Sequence, residues 1–497
     1  MSTMRIGGLA SGMDIDKIVG DLMKAERMPL DKLKQKKQIL EWQRDDYRSM
    51  NTLLQDLDSY VFNNLTLQSS MLKKKVVSSD ESVVAATANS SAVNISTNLT
   101  VTEVATSATW ISAAASSYTP SRTDTTLKIN VTNGDGTSPT TNPVTITIAA
   151  NSSLDAVISQ LNSNSDLGIT VFRDTQTGKI SITKKDTGAS ASLKMGDATT
   201  ASFFQSLGFT GVTDGAELTG KTAGKNAQFT INGLSTSRST NTFMINNVTY
   251  TLKKTGTASV TTTNDTDAMF NVIKGFVDKY NEVIGKINGK LSEERYRDYT
   301  PLTDEQKEAM TEKQVELWEQ KAKSGLLRRD SILSSGLGQM RLDLYSKVSN
   351  SPVNTNYDTL SEIGITTSSN YLENGKLIID ETKLRAAIEN DPNAVYQLFN
   401  ASGSNFDTKG IAQRLRDTIK NTIGKIEKKA GKTVWTNSQF EIGKSLNDLD
   451  KRIDAFEDRL KKVEDRYWKQ FSAMEKAVQR ANSQSMYLMN AFGGGAQ

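Results

Sequence analysis

The stretch Leu33–Val61, LKQKKQILEWQRDDYRSMNTLLQDLDSYV, carries the pattern on which the fold prediction rests. Apolar residues recur in it every seven positions, and polar or charged residues fill most of the space between them. The seven-residue series is Leu33, Leu40, Tyr47, Leu54 and Val61, with Met50 and Leu57 three places further on. This spacing puts the apolar side chains on one side of an α-helix. It predicts a long helix that packs against another helix.

The C-terminal part of the chain has the same 3-4 spacing, which is interrupted at Gln470. Its apolar positions are Leu446, Leu449, Ile453, Phe456, Leu460, Val463, Tyr467, Met474, Ala477 and Ala481. The spacing predicts a coiled coil. An apolar helix face is more often part of an intramolecular core than a contact between proteins. For the terminal helices both alternatives stay open. We expect a bundle within one chain together with contacts to neighbouring subunits.

The middle of the chain, from about Val76 to Asp265, is rich in Ser, Thr, Asn, Gly and Val. Short alternating runs separated by turn residues predict strands. The runs are Leu127–Val131, Val144–Ile148, Lys179–Thr183, Gln228–Asn232 and Asn247–Leu252. One short helix is expected at Ser153–Asn162, and helical spacing returns after Asp267. Further helices are expected at Thr303–Lys323 and Ser331–Ser346, and around Asp391 and Pro392.

The order of helix, β block and helix predicts an α+β multidomain fold, in which N- and C-terminal segments build a helical stalk and the β-rich head is an insertion. A break at Met28 and Pro29 would give either two helices or one kinked helix. The expected divisions are an N-terminal helical segment 1–42, a stalk helix 43–75 pairing with 267–445, a head formed by 76–122 and 223–266, an inserted subdomain 123–222, and a C-terminal coiled coil 446–497.

The composition excludes large classes of chemistry. The chain has 497 residues and contains no Cys and no His, which removes thiolate and imidazole catalysis and the zinc sites that use those ligands. A formal net charge of +4, from 60 basic and 56 acidic residues, gives little attraction to nucleic acid. We therefore predict a protein that is not an enzyme, with no catalytic, cofactor-binding or metal-binding residues and no nucleic-acid partner.

Two local motifs resemble binding loops. Gly215–Thr222, GAELTGKT, satisfies the phosphate-loop pattern, but the strand before it and the helix after it that such a loop needs are not expected here. Asn133–Gly136, NGDG, resembles the start of a calcium loop but lacks the regular ligand spacing. We interpret the first as a linker between β subdomains and the second as a hairpin turn.

Several segments, in order along the chain, resemble the flagellar cap family, also called hook-associated protein 2. The matching segments are Gly7–Leu33 (GGLASGMDIDKIVGDLMKAERMPLDKL), Gly224–Phe243, Phe276–Ile287, Tyr299–Asp330, Leu360–Leu384 and Tyr467–Leu488. A middle stretch, Val144–Phe209, is similar to the flagellin hook-type insertion. Together these segments cover most of the chain outside the β-rich head.

The resemblance implies a homo-oligomeric ring at the distal tip of the bacterial flagellar filament, where it helps flagellin to fold and insert and so supports flagellum assembly and motility. It also implies contact with hook-filament junction proteins and with a cytoplasmic export chaperone, which would bind the C-terminal helix. Secretion would occur through the flagellar type III channel, which agrees with the lack of a signal-peptide pattern at the start of the sequence and of any spanning segment.

The candidate contact residues follow from the terminal helices. They are Leu33, Leu40, Tyr47, Leu54, Leu446, Leu449, Ile453, Phe456, Leu460, Val463, Tyr467 and Met474. We expect part of this set, Leu449, Ile453, Phe456, Leu460 and Val463, to be incompletely covered in the isolated subunit. The alternative is another secreted, rod-like appendage component with coiled-coil termini, or an adhesin whose head serves cell adhesion.

Overall fold

The computed structural model of the protein describes residues 12–493, and their side chains through residue 490. The chain forms two compact units. The helical unit contains the residues before Leu72 and those from Phe270 onwards, and the β-rich unit is Leu72–Met269. The α+β fold class predicted from the sequence is confirmed, with long helices at both ends of the chain and sheets in the middle.

The elements are numbered in chain order. The helices are α1 (Ile15–Tyr60), α2 (Gln68–Met71), α3 (Leu154–Ser163), α4 (Ala198–Ser206), α5 (Thr266–Ser292), α6 (Asp304–Glu308), α7 (Glu312–Lys323), α8 (Ser331–Tyr345), α9 (Glu381–Asn390), α10 (Pro392–Asn400), α11 (Ile411–Ala430) and α12 (Glu441–Gly493). The strands are β1 (Lys74–Ser78), β2 (Val84–Ala88), β3 (Ile95–Glu103), β4 (Ser107–Ile111), β5 (Thr125–Thr132), β6 (Val144–Ile148), β7 (Ile169–Arg173), β8 (Ile180–Thr187), β9 (Ser192–Met195), β10 (Lys221–Thr222), β11 (Ala227–Ile231), β12 (Leu234–Arg238), β13 (Thr242–Ile245), β14 (Val248–Leu252), β15 (Gly256–Asn264), β16 (Ile365–Thr367) and β17 (Leu377–Ile379).

Helix α1 is a single helix of 46 residues, so of the two alternatives for the region of Pro29 the structure excludes two separate helices. Asp14 caps its start by accepting a hydrogen bond from the backbone N–H of Lys17 at 2.9 Å. Pro29 has no N–H to donate to the carbonyl one turn before it, so α1 lacks one backbone hydrogen bond there. The other backbone hydrogen bonds of this long helix keep it continuous. At its end α1 passes into a π-helical segment, Val61–Thr66.

The second half of α1 lies in a helical bundle. It packs on α11, which also contacts α8 and α10. The later part of the predicted series, from Tyr47 onwards, points into this bundle, and Leu54, Leu57 and Val61 are each 0% exposed there, as is Leu65 beyond the series. Helix α5 approaches α1 closely at Gly275, where an added Cβ would lie 2.2 Å from the Tyr60 hydroxyl. That hydroxyl donates to the Val272 carbonyl at 3.1 Å, so it is held in place.

The single charged helix expected at Thr303–Lys323 is wrong, because two helices, α6 and α7, cover this stretch. Each begins with its own capping box, in which a Thr hydroxyl accepts from the backbone N–H three residues on and a Gln side chain accepts from the Thr N–H. The pairs are Thr303 with Gln306 and Thr311 with Gln314. The second box starts a new helix at the point where the charge pattern alone would continue the first.

The β-rich unit has two apolar cores, and all its strand pairs are antiparallel. A five-stranded sheet (β1-β15-β3-β11-β12) and a three-stranded sheet (β13-β14-β2) share the first core. A four-stranded sheet (β10-β4-β8-β7), a three-stranded sheet (β6-β5-β9) and the helices α3 and α4 share the second. The five predicted strand runs correspond to β5, β6, β8, β11 and β14.

Two features of this unit differ from the sequence predictions. Helix α4 was not expected; Asp197 caps it, and Phe203 and Phe204 anchor it in the second core. Strand β4 lies before the predicted boundary at 122/123, yet it pairs with β8 and β10, and Trp110 on it is fully buried in the second core. Strand β4 therefore shares the second core, although it precedes residue 123.

Candidate interaction surface on the helical unit

Helix α12 runs antiparallel to the first half of α1. The Tyr467 hydroxyl donates to the Glu26 carboxylate at 3.1 Å, Lys34 pairs with Glu457 at 2.9 Å, and Lys37 pairs with Asp450 at 2.6 Å. As the residue number rises along α1 it falls along α12, which defines the antiparallel arrangement. The hydrogen bond from Lys37 to Asp450 raises the pKa of the lysine.

The apolar residues between these polar contacts form a two-helix seam. Its buried members are Ile15, Val19, Met23 and Leu30 on α1 and Ile453, Leu460 and Val463 on α12. Leu33, Phe456, Tyr467, Trp468 and Phe471 are partly buried against them. The predicted coiled-coil pairing of the terminal helices is thus made within one chain.

The candidate contact residues fall into two groups. The buried group is Tyr47, Leu54, Leu446, Leu449, Ile453, Leu460 and Val463, and the half-buried group is Leu33, Leu40, Phe456, Tyr467 and Met474. The expectation of incomplete cover is wrong for four of the five residues to which it applied, because helices of the same chain already cover Leu449, Ile453, Leu460 and Val463. Of that set, only Phe456 keeps partial exposure.

Tyr47 has a role inside the chain. Its hydroxyl donates to the Asp330 carboxylate, whose other oxygen caps α8 by accepting from the backbone N–H groups of Ile332 and Leu333, both at 3.0 Å. Burial and the Asp330 carboxylate raise the pKa of Tyr47 well above its usual range, so it remains a donor. This candidate residue joins α1 to α8.

Two family profiles match long parts of this chain. The family profile described as "Flagellar hook-associated protein 2 C-terminus" matches residues 224–483, and the corresponding N-terminal profile matches residues 11–108. The flagellar hook-associated protein 2 of Halalkalibacterium halodurans is 36% identical over 539 residues, covering 98% of this chain and 100% of the relative. The chain belongs to the flagellar hook-associated protein 2 family.

Other comparisons agree with this membership. The flagellar hook-associated protein 2 of Escherichia coli K12 is 26% identical over 511 residues, covering 99% of this chain and 98% of the relative. A profile described as "Flagellin hook IN motif" matches residues 126–186, within the second core of the β-rich unit. The crystal structure of the D1-D2-D3 domains of the flagellar cap protein FliD from Escherichia coli, at 23% identity, shares the fold with a TM-score of 0.57, covering 81% of this chain and 99% of that one.

Beyond the seam, this member of the hook-associated protein 2 family carries an exposed apolar segment that the sequence prediction did not select. Helix α12 continues past the level at which α1 begins, because Glu26, 11 residues after the start of α1, pairs with Tyr467, 26 residues before the end of α12. Met486, Tyr487, Leu488 and Met489 there are 66%, 75%, 53% and 75% exposed. The sequence signal was present as the run MYLM, but it lies beyond the 3-4 series.

The structure does not place either of the two loop-like motifs, GAELTGKT and NGDG, in the surroundings that a phosphate loop or a calcium loop needs. The segment that resembles a phosphate loop leads into strand β10 rather than a helix, and the Lys221 ammonium donates to the Ala191 carbonyl and pairs with Glu217, both at 2.6 Å. The NGDG segment forms a turn after β5, in which Asp135 accepts from Thr137. Among residues 12–490, no cluster of three or more acidic side chains is arranged so that it could hold a metal ion. Within the described chain, none of the helices is apolar over a length that would span a membrane.

Proposed function

We propose that this chain is a structural assembly factor that forms an oligomeric cap at the distal tip of the bacterial flagellar filament. There it promotes flagellin folding and polymerisation and prevents the loss of flagellin to the medium. The observation that carries this proposal is family membership along the whole length of the chain, with 98% of it covered by a single relative. We propose no enzymatic activity, since the profiles and relatives that the chain matches are those of hook-associated protein 2, and the chain has neither Cys nor His.

The proposed partners are a second copy of the chain, flagellin, hook-filament junction proteins and a cytoplasmic export chaperone. We propose that the chaperone binds the end of α12. The support is the exposed apolar run Met486–Met489. Exposed apolar side chains on a helix can be buried in a groove on another protein. The candidate contact residues stay a proposal too. The half-buried ones, Leu33, Leu40, Phe456, Tyr467 and Met474, have surface left for a partner.

The proposed location is extracellular, at the filament tip. We also propose the division into segments 1–42, 43–75 with 267–445, and 446–497, and a β-rich head with an inserted subdomain. One boundary is changed from the prediction. It moves from 122/123 to the stretch between Ala105 and Ser107, since β4 pairs with β8.

The test is a strain deleted for the gene, examined for swarming and for flagellin in the medium. Non-motile cells that shed monomeric flagellin, and that regain filaments when the purified full-length protein is added outside, are the expected result. Normal filaments in the deletion strain would contradict the proposal.

A single variant tests the part played by the seam. Leu460→Asp puts an unpaired charge among apolar side chains and should weaken cap retention. Lys462→Asp, at an exposed position two residues along the same helix, is the matched control and should rescue like the unaltered protein. Equal rescue by both variants would show that the seam is not needed for capping.

A further inference from the structure

An open depression of about 590 Å³ on the helical unit is lined by four arginines and by no acidic side chain. The arginines are Arg295 and Arg297, which follow α5, and Arg328 and Arg329, which precede α8. Residues of α1 form its floor. Between Lys321 and Arg329 the chain has four basic residues and no acidic one. The charged side chains that line the depression are thus all positive, although Glu293, Glu294 and Asp298 lie close by in the sequence.

Three of the four guanidinium groups have no partner within the described chain. Arg295 is half-buried and donates to the carbonyls of Ala322 at 2.7 Å and Ser324 at 3.1 Å. Arg297, Arg328 and Arg329 are exposed, and their side chains make no hydrogen bond or ion pair with any residue that the structure describes. Like charges gathered at one place repel each other, so a partner that neutralises them is favoured.

The backbone holds these arginines in a defined arrangement. The N–H of Gly325 donates to the Glu293 carboxylate at 2.9 Å, and the N–H of Arg329 donates to the Leu291 carbonyl at 3.1 Å. Arg329 has a φ of 56°, in the left-handed region that residues other than glycine rarely adopt. The adjacent cap of α8 and the contact with the end of α5 maintain this conformation. The arginines are thus presented by a segment that is already ordered.

The complementary charge lies nearby in the sequence, at the start of α6 and α7. Asp304, Glu305, Glu308 and Glu312 are exposed, and none makes an ion pair with another residue of the described chain. Lys307, in the same turn, is already paired with Glu319 at 3.1 Å. Burial, and then the charge of Glu305, raise the pKa of the neighbouring Asp31, while Lys34 and Arg27 of α1 act in the opposite direction. The two capping boxes hold these carboxylates on ordered helical turns.

We propose that the arginine surface of one copy, formed by Arg297, Arg328 and Arg329, binds the acidic surface of a second copy, formed by Asp304, Glu305, Glu308 and Glu312. Two different surfaces that complement each other produce a head-to-tail contact, which closes into a ring or continues as a helix. This inference rests on the proposed function, which requires several copies at the filament tip. It names the surfaces through which neighbouring copies meet.

The test uses two charge-reversed forms of the full chain. One carries Arg328→Glu with Arg329→Glu, and the other carries Glu305→Lys with Glu308→Lys. Each alone should self-associate at least about tenfold more weakly in analytical ultracentrifugation, because attraction becomes repulsion. An equimolar mixture should recover association, since each reversed surface meets the other reversed surface. The association of the unaltered protein should also weaken as salt is raised.

A matched control reverses two exposed lysines on α11, Lys420→Glu with Lys425→Glu, and should associate like the unaltered protein. Equal thermal unfolding of all forms excludes a loss of folding as the cause. If a charge-reversed form does unfold early, Arg328→Gln with Arg329→Gln takes its place and should give a smaller loss of association.

Other outcomes would overturn the inference. It is wrong if both charge-reversed forms associate normally, if the mixture does not recover, or if the reversals weaken only co-sedimentation with flagellin. These results leave the proposed function intact as long as the purified unaltered protein restores filaments to the deletion strain. If the unaltered protein neither associates nor restores filaments, the proposed function itself fails.

Discussion

The two halves of α1 both carry an apolar face but lie in different surroundings. The first half packs mainly on α12, and Gln35 also donates to the Pro301 carbonyl at 2.8 Å. The buried residues opposite it, Ile453, Leu460 and Val463, keep 7–8% of their surface exposed. The second half packs inside the bundle, where Leu54 and Leu57 are completely covered. Two apolar faces of one helix thus differ in how completely the neighbouring elements cover them.

This difference has a consequence for stability along a single helix. Helix stability in proteins comes mostly from packing of the apolar face, and segments with fewer buried contacts open more readily than the core. The first half of α1 and the facing part of α12 should therefore open locally while the bundle stays closed. A partner protein could add burial to the seam, whereas it has no access to the bundle core.

The largest expected effect is in the bundle. Leu54→Ala should lower the free energy of unfolding by about 3–5 kcal/mol, because the vacated volume is closed on all sides. Leu460→Ala in the seam should cost about 2 kcal/mol or less, and hydrogen exchange should rise mainly in residues 15–33. Leu22→Ala, at an exposed position of α1, is the control and should change little. Equal losses from Leu54→Ala and Leu460→Ala would remove the distinction between the two halves.

A smaller effect is expected from Gly275→Ala, which probes how tightly α5 and α1 pack. The added methyl would overlap the Tyr60 hydroxyl, and that hydroxyl is bound to the Val272 carbonyl. We expect a loss of about 1–3 kcal/mol in chemical unfolding. A second variant, Tyr60→Phe with Gly275→Ala, should recover part of the loss. If Gly275→Ala does not lower the free energy of unfolding, α5 and α1 can move apart to accommodate a methyl group more easily than the burial of the bundle suggests.

The smallest effect, and one of opposite sign, is expected from Gly20→Ala in the first half of α1. Gly20 is exposed, and an added Cβ would meet no atom within 4 Å. Alanine favours a helix interior over glycine by about 1 kcal/mol, so this half should become more stable and exchange its amides more slowly. Faster exchange in the variant would show that Gly20 is needed for a bend or a close contact.

The long helices and their paired apolar faces could be predicted from the sequence, because a periodic pattern over many residues has few structural alternatives. The strands β5, β6, β11 and β14 could be predicted for the same reason, since alternation and turn residues mark them. Which helix covers which could not be predicted. The spacing of Leu54 and that of Leu460 look equivalent in the sequence, and only tertiary packing distinguishes a bundle from a two-helix seam.

Local features that depend on distant contacts were predicted least well. Helix α4 is short and contains two Thr residues, and it is stabilised by packing of Phe203 and Phe204 in the core. The start of α7 depends on a side-chain cap that the charge pattern does not report. The arginine surface is assembled from two segments about thirty residues apart, Arg295–Arg297 and Arg328–Arg329, so no single stretch indicated it.

The hydrogen bond between Tyr467 and Glu26 joins residues 441 positions apart. Closing so long a loop is possible only when almost the whole polypeptide is present, and the entropy cost of closure rises with the length of the loop. During synthesis on the ribosome, Ile15, Val19 and Met23 have no intramolecular partner until the last tenth of the chain emerges. A chain that is cut short before α12 would expose this apolar face throughout its lifetime, so early termination should produce aggregating or rapidly degraded fragments.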